Sequence, residues 1–403
     1  MKKILQINIV CGQGSTGKIA LDIANYVNEK EYECHIAYGV GQAKYKHSYK
    51  IGNYFDLHFH SFISRIFCRQ GYQSKYTTLK LVRYIKNIKP DIIHLHNIHG
   101  NYINYQILFK YLKKIDTPVV WTLHDCCMFT GKCSYFSDIG CDKWKTECNQ
   151  CPQLNKYPPS KIDKVRKNFY DKKKWFLGLH NLSIICVSDW LTDITSQSFM
   201  GIYPIKRIYN GIDTEIFSPK KSNFKLENNL DDKLLILGVA DSWTESKGLF
   251  KFIELAKNID SSYQVVLVGV TEQQSMLLPS NIIGIKRTHN VEELVDLYNA
   301  ADVFINFSTE ETFGMVTAEA MSCGTPVIIF NSTASPELVN EDTGIVINKF
   351  EDVYEAINKI TGNCSQLYGK YCRERVLSLF SKEKMVNEYL MYYNQLLEQK
   401  KRN

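Results

Sequence analysis

Short apolar runs alternate along most of the chain with longer segments whose apolar positions recur every three or four residues. Such an alternation predicts buried parallel strands joined by crossover helices. In the first half, strands are expected at Ile4–Val10, Glu33–Tyr38, Asp91–His96, Pro118–Leu123 and Ser183–Val187. Helices are expected at Thr16–Asn28, Thr78–Ile88, Tyr105–Lys114, Ser160–Phe176 and Asp189–Ser198. The rhythm then restarts, with strands at Leu234–Val239, Gln264–Val268, Val303–Phe307 and Pro326–Phe330 and helices at Gly248–Asn258, Val291–Ala300 and Phe313–Ser322. The polar stretch Asp213–Asp232 between the halves, with Pro219, Asn223, Asn228 and Asn229, reads as linker and hinge. From Phe350 onward the pattern is helical and ends in an amphipathic helix at Lys382–Gln399. The expected fold class is α/β: two Rossmann-like domains in tandem, each built on a parallel sheet.

Length supports the division, because 403 residues exceed what one hydrophobic core fills, and two domains of roughly 200 residues each are the default. With 44% apolar and 23% charged residues the chain is ordinary globular material, which argues against a long disordered segment. Lys2 and Lys3 before an apolar run resemble a secretory signal, but Gln6 and Asn8 interrupt the run and a glycine turn follows it, as after a first buried strand. No stretch approaches the roughly 18 apolar residues of a membrane span. The protein is therefore expected in the cytoplasm, with its 13 cysteines reduced. Charge is uneven: the first 200 residues carry 28 Lys/Arg against 15 Asp/Glu, the remainder 21 against 27. A basic first half suits an anionic lipid surface or a phosphorylated substrate, or is simply a solvated face. The runs Lys44–Lys46 with Lys50, and Arg65–Lys89 with Phe67, Tyr72 and Tyr76 interleaved, are the places where lipid would be met; no nucleic-acid partner is expected.

The first strand runs into Gly12-Gln-Gly14-Ser-Thr-Gly17-Lys18. As a dinucleotide fingerprint it lacks the acidic residue that should end the second strand and hold a ribose. As a phosphate loop it carries Ile19 where the metal-binding hydroxyl belongs. What remains is physical: Gly14 and Gly17 at a helix start let backbone N–H groups approach an anion, which places them as donor-binding candidates, or they serve only a tight turn.

A second cluster lies in Ser308-Thr-Glu-Glu311-Thr-Phe313-Gly314-Met-Val-Thr-Ala-Glu319. Glu311 falls in the turn after a strand and Glu319 on the helix that follows, so both face the carboxyl edge of a parallel sheet, where open α/β sheets bind ligands. The amides of Phe313 and Gly314 stand where a phosphate meets a helix N-terminus, and a carboxylate on that helix can accept from ribose hydroxyls.

The spacing Glu311-x7-Glu319, together with Tyr209-Asn-Gly-Ile-Asp213, Lys247-Gly248, Pro336-Glu337 and Trp121-Thr-Leu-His-Asp125 in this order, resembles the retaining glycosyltransferases of the GT-B fold. Within them the chain is similar to family four and its bacterial colanic-acid and exopolysaccharide members, over nearly its whole length. The resemblance implies two Rossmann-like domains facing a cleft: 1–205 for the acceptor, with a Cys-rich insertion at 126–155; 206–380 for the nucleotide sugar; and a helix, 381–403, crossing back. It implies a hexosyl transfer with retention, from a UDP- or GDP-type sugar to a glycan or polyprenyl-diphosphate-linked acceptor, in cell-surface polysaccharide synthesis and in peripheral contact with the inner membrane. Glu319 would hold the donor ribose and Glu311 the transferred sugar. Lys247 would hold the diphosphate, with Arg287 and Asn210 also on the donor side, and His124 would lie beside the transferred sugar. The Arg that often stands five residues before this Lys is replaced by Ser242. No Asp-x-Asp occurs anywhere in the chain, so fixed positive groups are expected in place of a divalent ion and no cofactor is needed for catalysis. A sugar-nucleotide epimerase, or a non-catalytic zinc-containing assembly protein, are the alternatives of other classes.

Two further sets attract a metal reading. His94 and His96 alternate on an expected strand and suit sheet-end packing and acceptor lining better than metal. Cys133, Cys141, Cys148 and Cys151, spaced Cys-x7-Cys-x6-Cys-x2-Cys, lie in a segment expected to be too polar to bury a core of its own. They can hold a structural zinc, pack as free thiols, or form disulfides, which a reducing compartment disfavours.

Overall fold

The computed structural model describes residues 1–362 and 365–402 and divides the chain into two compact units, Met1–Ile208 with Met385–Asn403, and Tyr209–Lys384.

The first unit is a seven-stranded parallel sheet of β1 (Lys2–Asn8), β2 (Tyr32–Tyr38), β3 (Ser48–Lys50), β4 (Ile92–Leu95), β5 (Val119–Leu123), β6 (Leu182–Cys186) and β7 (Ile205–Arg207), in the order β3-β2-β1-β4-β5-β6-β7. β1, β4 and β5 are buried along most of their length, as expected of strands covered by helices on both faces. One face packs on the helix Gly14–Asn28 and on the terminal helix Lys382–Arg402, whose Met385, Tyr389 and Tyr393 enter the same core as Ile4, Ile92 and Val120. The second unit is a six-stranded parallel sheet of β8 (Leu234–Val239), β9 (Tyr263–Val268), β10 (Ile282–Ile285), β11 (Val303–Asn306), β12 (Val327–Phe330) and β13 (Gly344–Ile347), in the order β10-β9-β8-β11-β12-β13. Each sheet reverses its winding once, between β1 and β4 and between β8 and β11. Those switch points open the crevices in which such sheets bind ligands.

The structure differs from the sequence reading in definite ways. Strands β3, β7, β10 and β13 were not expected; each is three or four residues long, too short for a period to show. The helix expected from Ser160 starts at Val165, because the Asp163 carboxylate accepts from the Val165 and Cys151 amides and fixes a non-helical loop first. The helix expected from Phe313 starts at Met315, with Gly314 at φ +100° as its cap. Of the expected linker, Phe224–Glu227 is helical, and the stretch belongs to the second unit, where Ile212 pairs with Ser381 and Asp213 with Lys382. The Cys-rich segment does bury apolar side chains, contrary to expectation: Trp144 stacks on Phe136 at 4.9 Å and meets Phe129 at 5.5 Å.

A helix at Tyr54–Phe67 was also missed, since its pattern is inverted. The residues it buries are His60 and Ser64, while Phe55, Phe59 and Phe62 are 80%, 58% and 60% exposed. Asn53 and Asp56 close a capping box at its start, and His60 is held inside by Ser74 Oγ at 2.8 Å and by the Gly71 amide at 3.1 Å.

Candidate active site

In the second unit the parallel strands deliver their carboxyl ends to one edge, and the loops after β8 and β11 are sewn together there. The Thr309 amide donates to the Ser246 carbonyl at 2.9 Å. Gly248 has φ +80°, and a Cβ on it would stand 2.5 Å from the Phe307 Cβ, so only glycine lets the two loops approach this closely. The approach brings Lys247 Nζ to 2.5 Å from Glu311 Oε1. The backbone of Glu311 is clamped in turn: its N–H donates to Thr333 Oγ1 at 2.8 Å, and its carbonyl accepts from the Ala334 amide at 3.2 Å.

Asn306 shapes the turn that follows β11, accepting from the Ser308 amide at 2.9 Å and donating to Thr317 Oγ1 at 3.0 Å. The helix Met315–Ser322 begins behind the left-handed Gly314, with Phe313 buried, and its first-turn amides have no acceptor within the helix. Glu319, one turn further on, accepts from the Tyr298 hydroxyl at 3.0 Å. Tyr298 is wholly buried, and burial, with the neighbouring carboxylate second, holds its phenol well above the ordinary value, so it remains a donor. Asn210 is buried at the start of this unit, next to Tyr209, whose ring leans on Phe313 and Phe380. Arg287 is exposed just beyond β10, two strands away from β8 in the sheet.

In the first unit, polar side chains line up across the switch point. Gln6 on β1, His94 and His96 at β4, and Thr122 and His124 at β5 share one face, because side chains two apart on a strand point the same way. Gln6 donates from Nε2 to the Ala20 carbonyl at 2.7 Å, which turns its Oε1 towards His96 Nε2 at 2.8 Å. An oxygen there requires His96 to carry its proton on Nε2, leaving Nδ1 as an acceptor. His124 Nε2, 3.1 Å from that Nδ1, is then the donor. Burial drives the three imidazoles towards the neutral form: His94 and His96 lie well below the ordinary value, and burial pushes His124 down to about 4, opposed in part by Asp125. Burial would raise the Asp125 carboxyl, but His99 at 2.8 Å and the Cys127 amide outweigh it and hold it below the usual range. His94 is bonded to Tyr393 at 2.6 Å and to Thr122 at 2.8 Å, so both of its nitrogens are occupied by side chains.

The glycine turn leads into the helix Gly14–Asn28. Gly14 has φ +59° and open space where a Cβ would sit, while a Cβ on Gly17 would stand 2.9 Å from a Val10 methyl. Gly17 therefore serves packing, and only Gly14 leaves room at the helix start. The four insertion cysteines line a common cavity.

Lys247 and Glu311 thus meet directly, with Phe313 and Gly314 on the turn that follows and Glu319 on the helix beyond, bonded to Tyr298; Arg287 lies apart, beyond β10. The sequence reading missed Thr333 and Ala334 beneath Glu311, Tyr298 beneath Glu319, and the link from Gln6 through His96 to His124. Gln6 had left a signal, a polar residue inside an apolar strand; Tyr298 had left none, being indistinguishable from a core aromatic.

Comparison with known proteins agrees with the two-unit fold. Residues 16–216 match the model of "Glycosyltransferase Family 4" and residues 232–363 that of "Glycosyl transferases group 1". The chain is 24% identical to the putative colanic acid biosynthesis glycosyl transferase WcaC of Escherichia coli K12, over 98% of this chain and 100% of that one. It is 28% identical to the capsular polysaccharide biosynthesis glycosyltransferase CapM of Staphylococcus aureus, over 47% and 54%. Among solved structures, sucrose-phosphate synthase from Thermosynechococcus elongatus superposes with a TM-score of 0.72 at 16% identity, covering 99% of this chain and all of that one. The Anabaena protein HepE, in complex with UDP and glucose, superposes at 0.67 and 16% identity, covering 98% of this chain and all of that one. Two parallel-sheet units, each matched by a glycosyltransferase model, and a carboxylate pair at the second switch point make this chain a member of the family-four, group 1 glycosyltransferases of the GT-B fold.

Proposed function

We propose that the protein transfers a hexose from a nucleotide-diphosphate sugar to a glycan or polyprenyl-diphosphate-linked acceptor in cell-surface polysaccharide synthesis, with retention at the anomeric carbon. The observation that carries this reading is the Lys247–Glu311 pair at 2.5 Å beside the start of the helix Met315–Ser322. In the reaction, negative charge builds on the departing diphosphate while the sugar C1 becomes cationic. The first-turn amides meet the former with no reorganisation, and Lys247 joins them by leaving Glu311. When a diphosphate draws Lys247 away, Glu311 is released to accept from the transferred sugar. Glu319, oriented by the Tyr298 hydroxyl, accepts from the ribose. His124, kept neutral by burial, is the residue assigned to the transferred sugar on the acceptor side. Gly14 leaves room at the start of the helix Gly14–Asn28 for backbone N–H groups to approach the donor.

A UDP-type donor is favoured over a GDP-type one by the UDP-bound fold neighbour. Polysaccharide synthesis is favoured by the colanic-acid and capsular relatives. The absence of Asp-x-Asp from the chain supports transfer without a divalent ion. The test is a panel of nucleotide sugars: one should raise the unfolding temperature, and with a lipid-linked acceptor should release nucleotide diphosphate at a rate unchanged by EDTA in a short assay. Nucleotide release that proceeds equally without acceptor, or a rapid loss in EDTA reversed by Mg2+, overturns the corresponding part.

Peripheral contact with the cytoplasmic face of an anionic membrane belongs to the same reading. No helix among the described residues is long and apolar enough to cross a membrane. The helix Tyr54–Phe67, however, turns Phe55, Phe59 and Phe62 outward, and Lys75, Lys80, Arg83 and Lys86 are exposed on the helix Lys75–Ile88. Aromatic side chains beside a basic row suit the headgroup level of an anionic leaflet.

A further inference from the structure

The insertion between β5 and the helix Val165–Phe176 carries chemistry that sugar transfer does not use. Cys133, Cys141, Cys148 and Cys151 come from separate turns of a loop-rich segment, yet all four line one cavity of about 20 Å³, the room of a single ion or water. All four are free thiols. Backbone amides are aimed at two of the sulfurs: Gly131 donates to Cys148 Sγ at 3.2 Å, and Gln153 donates to Cys151. Amide donors placed on sulfur are the usual outer partners of metal-bound cysteine.

Charge supplies a second and independent observation. Lys132 and Lys172 are each only 2% exposed. The Lys132 ammonium donates to the carbonyls of Gln153 and Lys156, each at 2.8 Å, and Lys172 to those of Cys127 at 2.5 Å and Thr130 at 3.1 Å. Among the described residues neither meets a carboxylate. The groups around Lys132 able to carry negative charge are the thiols of Cys151, Cys68, Cys133 and Cys127, and Lys172 lies within electrostatic reach of Cys148. Two buried ammoniums without anions are costly. A divalent ion with four thiolates carries a net charge of two negative units, which two lysines balance.

We propose that Cys133, Cys141, Cys148 and Cys151 form a structural zinc site whose excess negative charge is offset by Lys132 and Lys172. Zinc fits the donor set, since four sulfurs at about 2.3 Å make a closed tetrahedron with no position left for substrate. In the structure no three of these sulfurs lie within 4.8 Å of one another. Sulfurs around one zinc stand about 3.8 Å apart, so the ion draws the turns inward and staples the segment that follows His124. Each thiol releases its proton to solvent as it binds. The described residues contain one group of close ligand atoms, Glu33, His35 and His47, which serves as the control.

The test is the metal content of the full chain purified without chelator. About one zinc per chain is expected. Replacement by cobalt should give sulfur-to-metal charge-transfer bands and the visible spectrum of a tetrahedral thiolate site. Cys148→Ser and Cys151→Ser should lower retained zinc at least about tenfold and expose the insertion to protease. Lys172→Met, which leaves every ligand in place, should also weaken retention, by about tenfold. Glu33→Gln should keep the metal. A wild-type chain that contains no zinc and takes none up at micromolar concentration overturns the proposal, whether its four thiols titrate freely or are found as disulfides. So does zinc that survives Cys148→Ser or is lost in Glu33→Gln.

Discussion

His96 Nδ1 lies 3.1 Å from His124 Nε2, and because Gln6 takes the proton on the other nitrogen of His96, the pair has one proton arrangement in which His124 is the donor. Gln6 thereby sets the tautomer of a side chain it does not touch. Replacing Gln6 with Leu removes the acceptor and lets the His96 proton move to Nδ1, which sets two N–H groups against each other or turns His124 over. Transfer should fall about 10- to 100-fold in kcat/KM. Gln6→Glu keeps an acceptor and should retain more activity, but its carboxylate favours an imidazolium and brings a titration of activity towards neutral pH. Equal activity in Gln6→Leu and the wild type refutes the positioning role.

Glu311→Ala and Glu319→Ala should each leave the fold intact and reduce kcat/KM by about 2–4 kcal/mol in transition-state stabilisation. Because Lys247 pairs with Glu311, the double variant Lys247→Ala/Glu311→Ala should cost less than the sum of the single changes. The check is steady-state kinetics beside circular dichroism of each variant. Wild-type turnover in either single variant removes that residue from the site.

Phe55→Ser/Phe59→Ser/Phe62→Ser replaces side chains that already face solvent, so stability should change little. Binding to vesicles containing phosphatidylglycerol should drop severalfold, and wild-type binding should weaken as salt is raised past the screening range of about 0.1 M. Co-flotation with vesicles reads this directly. Equal partitioning of the wild type onto neutral and anionic vesicles decides against the lipid contact.

Acid should destabilise the first unit earlier than ordinary carboxylate titration would. His60 and His124 are both pushed to about 4 by burial, from an ordinary value of 6.5. The unfolded chain then binds more protons than the folded one between those values. Stability is therefore full above pH 6.5 and declines as pH falls towards 4, by at most about 3 kcal/mol for each group. Urea unfolding of the chain should show a midpoint that drops across this window, and His60→Gln should flatten the drop. A constant midpoint from pH 7 to pH 4.5 contradicts the burial of neutral imidazoles.

The linear sequence by itself determined the α/β class, the tandem arrangement and most of the strands, because buried parallel strands such as Ile4–Val10 and Val303–Phe307 are apolar runs that stand out against amphipathic helices. It also exposed Glu311 and Glu319, whose spacing across a strand, turn and helix is local. Tertiary structure alone decided what depends on distant partners. Gly248 reads as an ordinary turn until Phe307 is found against it, and Lys247 has no partner in the sequence until that approach delivers Glu311. The helix Tyr54–Phe67 is illegible from periodicity because its polar His60 and Ser64 are buried and its aromatics are outside. The proton order from Gln6 through His96 to His124 needs three strands in register, and register is a long-range property that no single segment encodes. The buried ammoniums of Lys132 and Lys172 are of the same kind. Lysine reads as surface in any sequence, and only folding reveals that these two lie among thiols, with carbonyls as their hydrogen-bond acceptors.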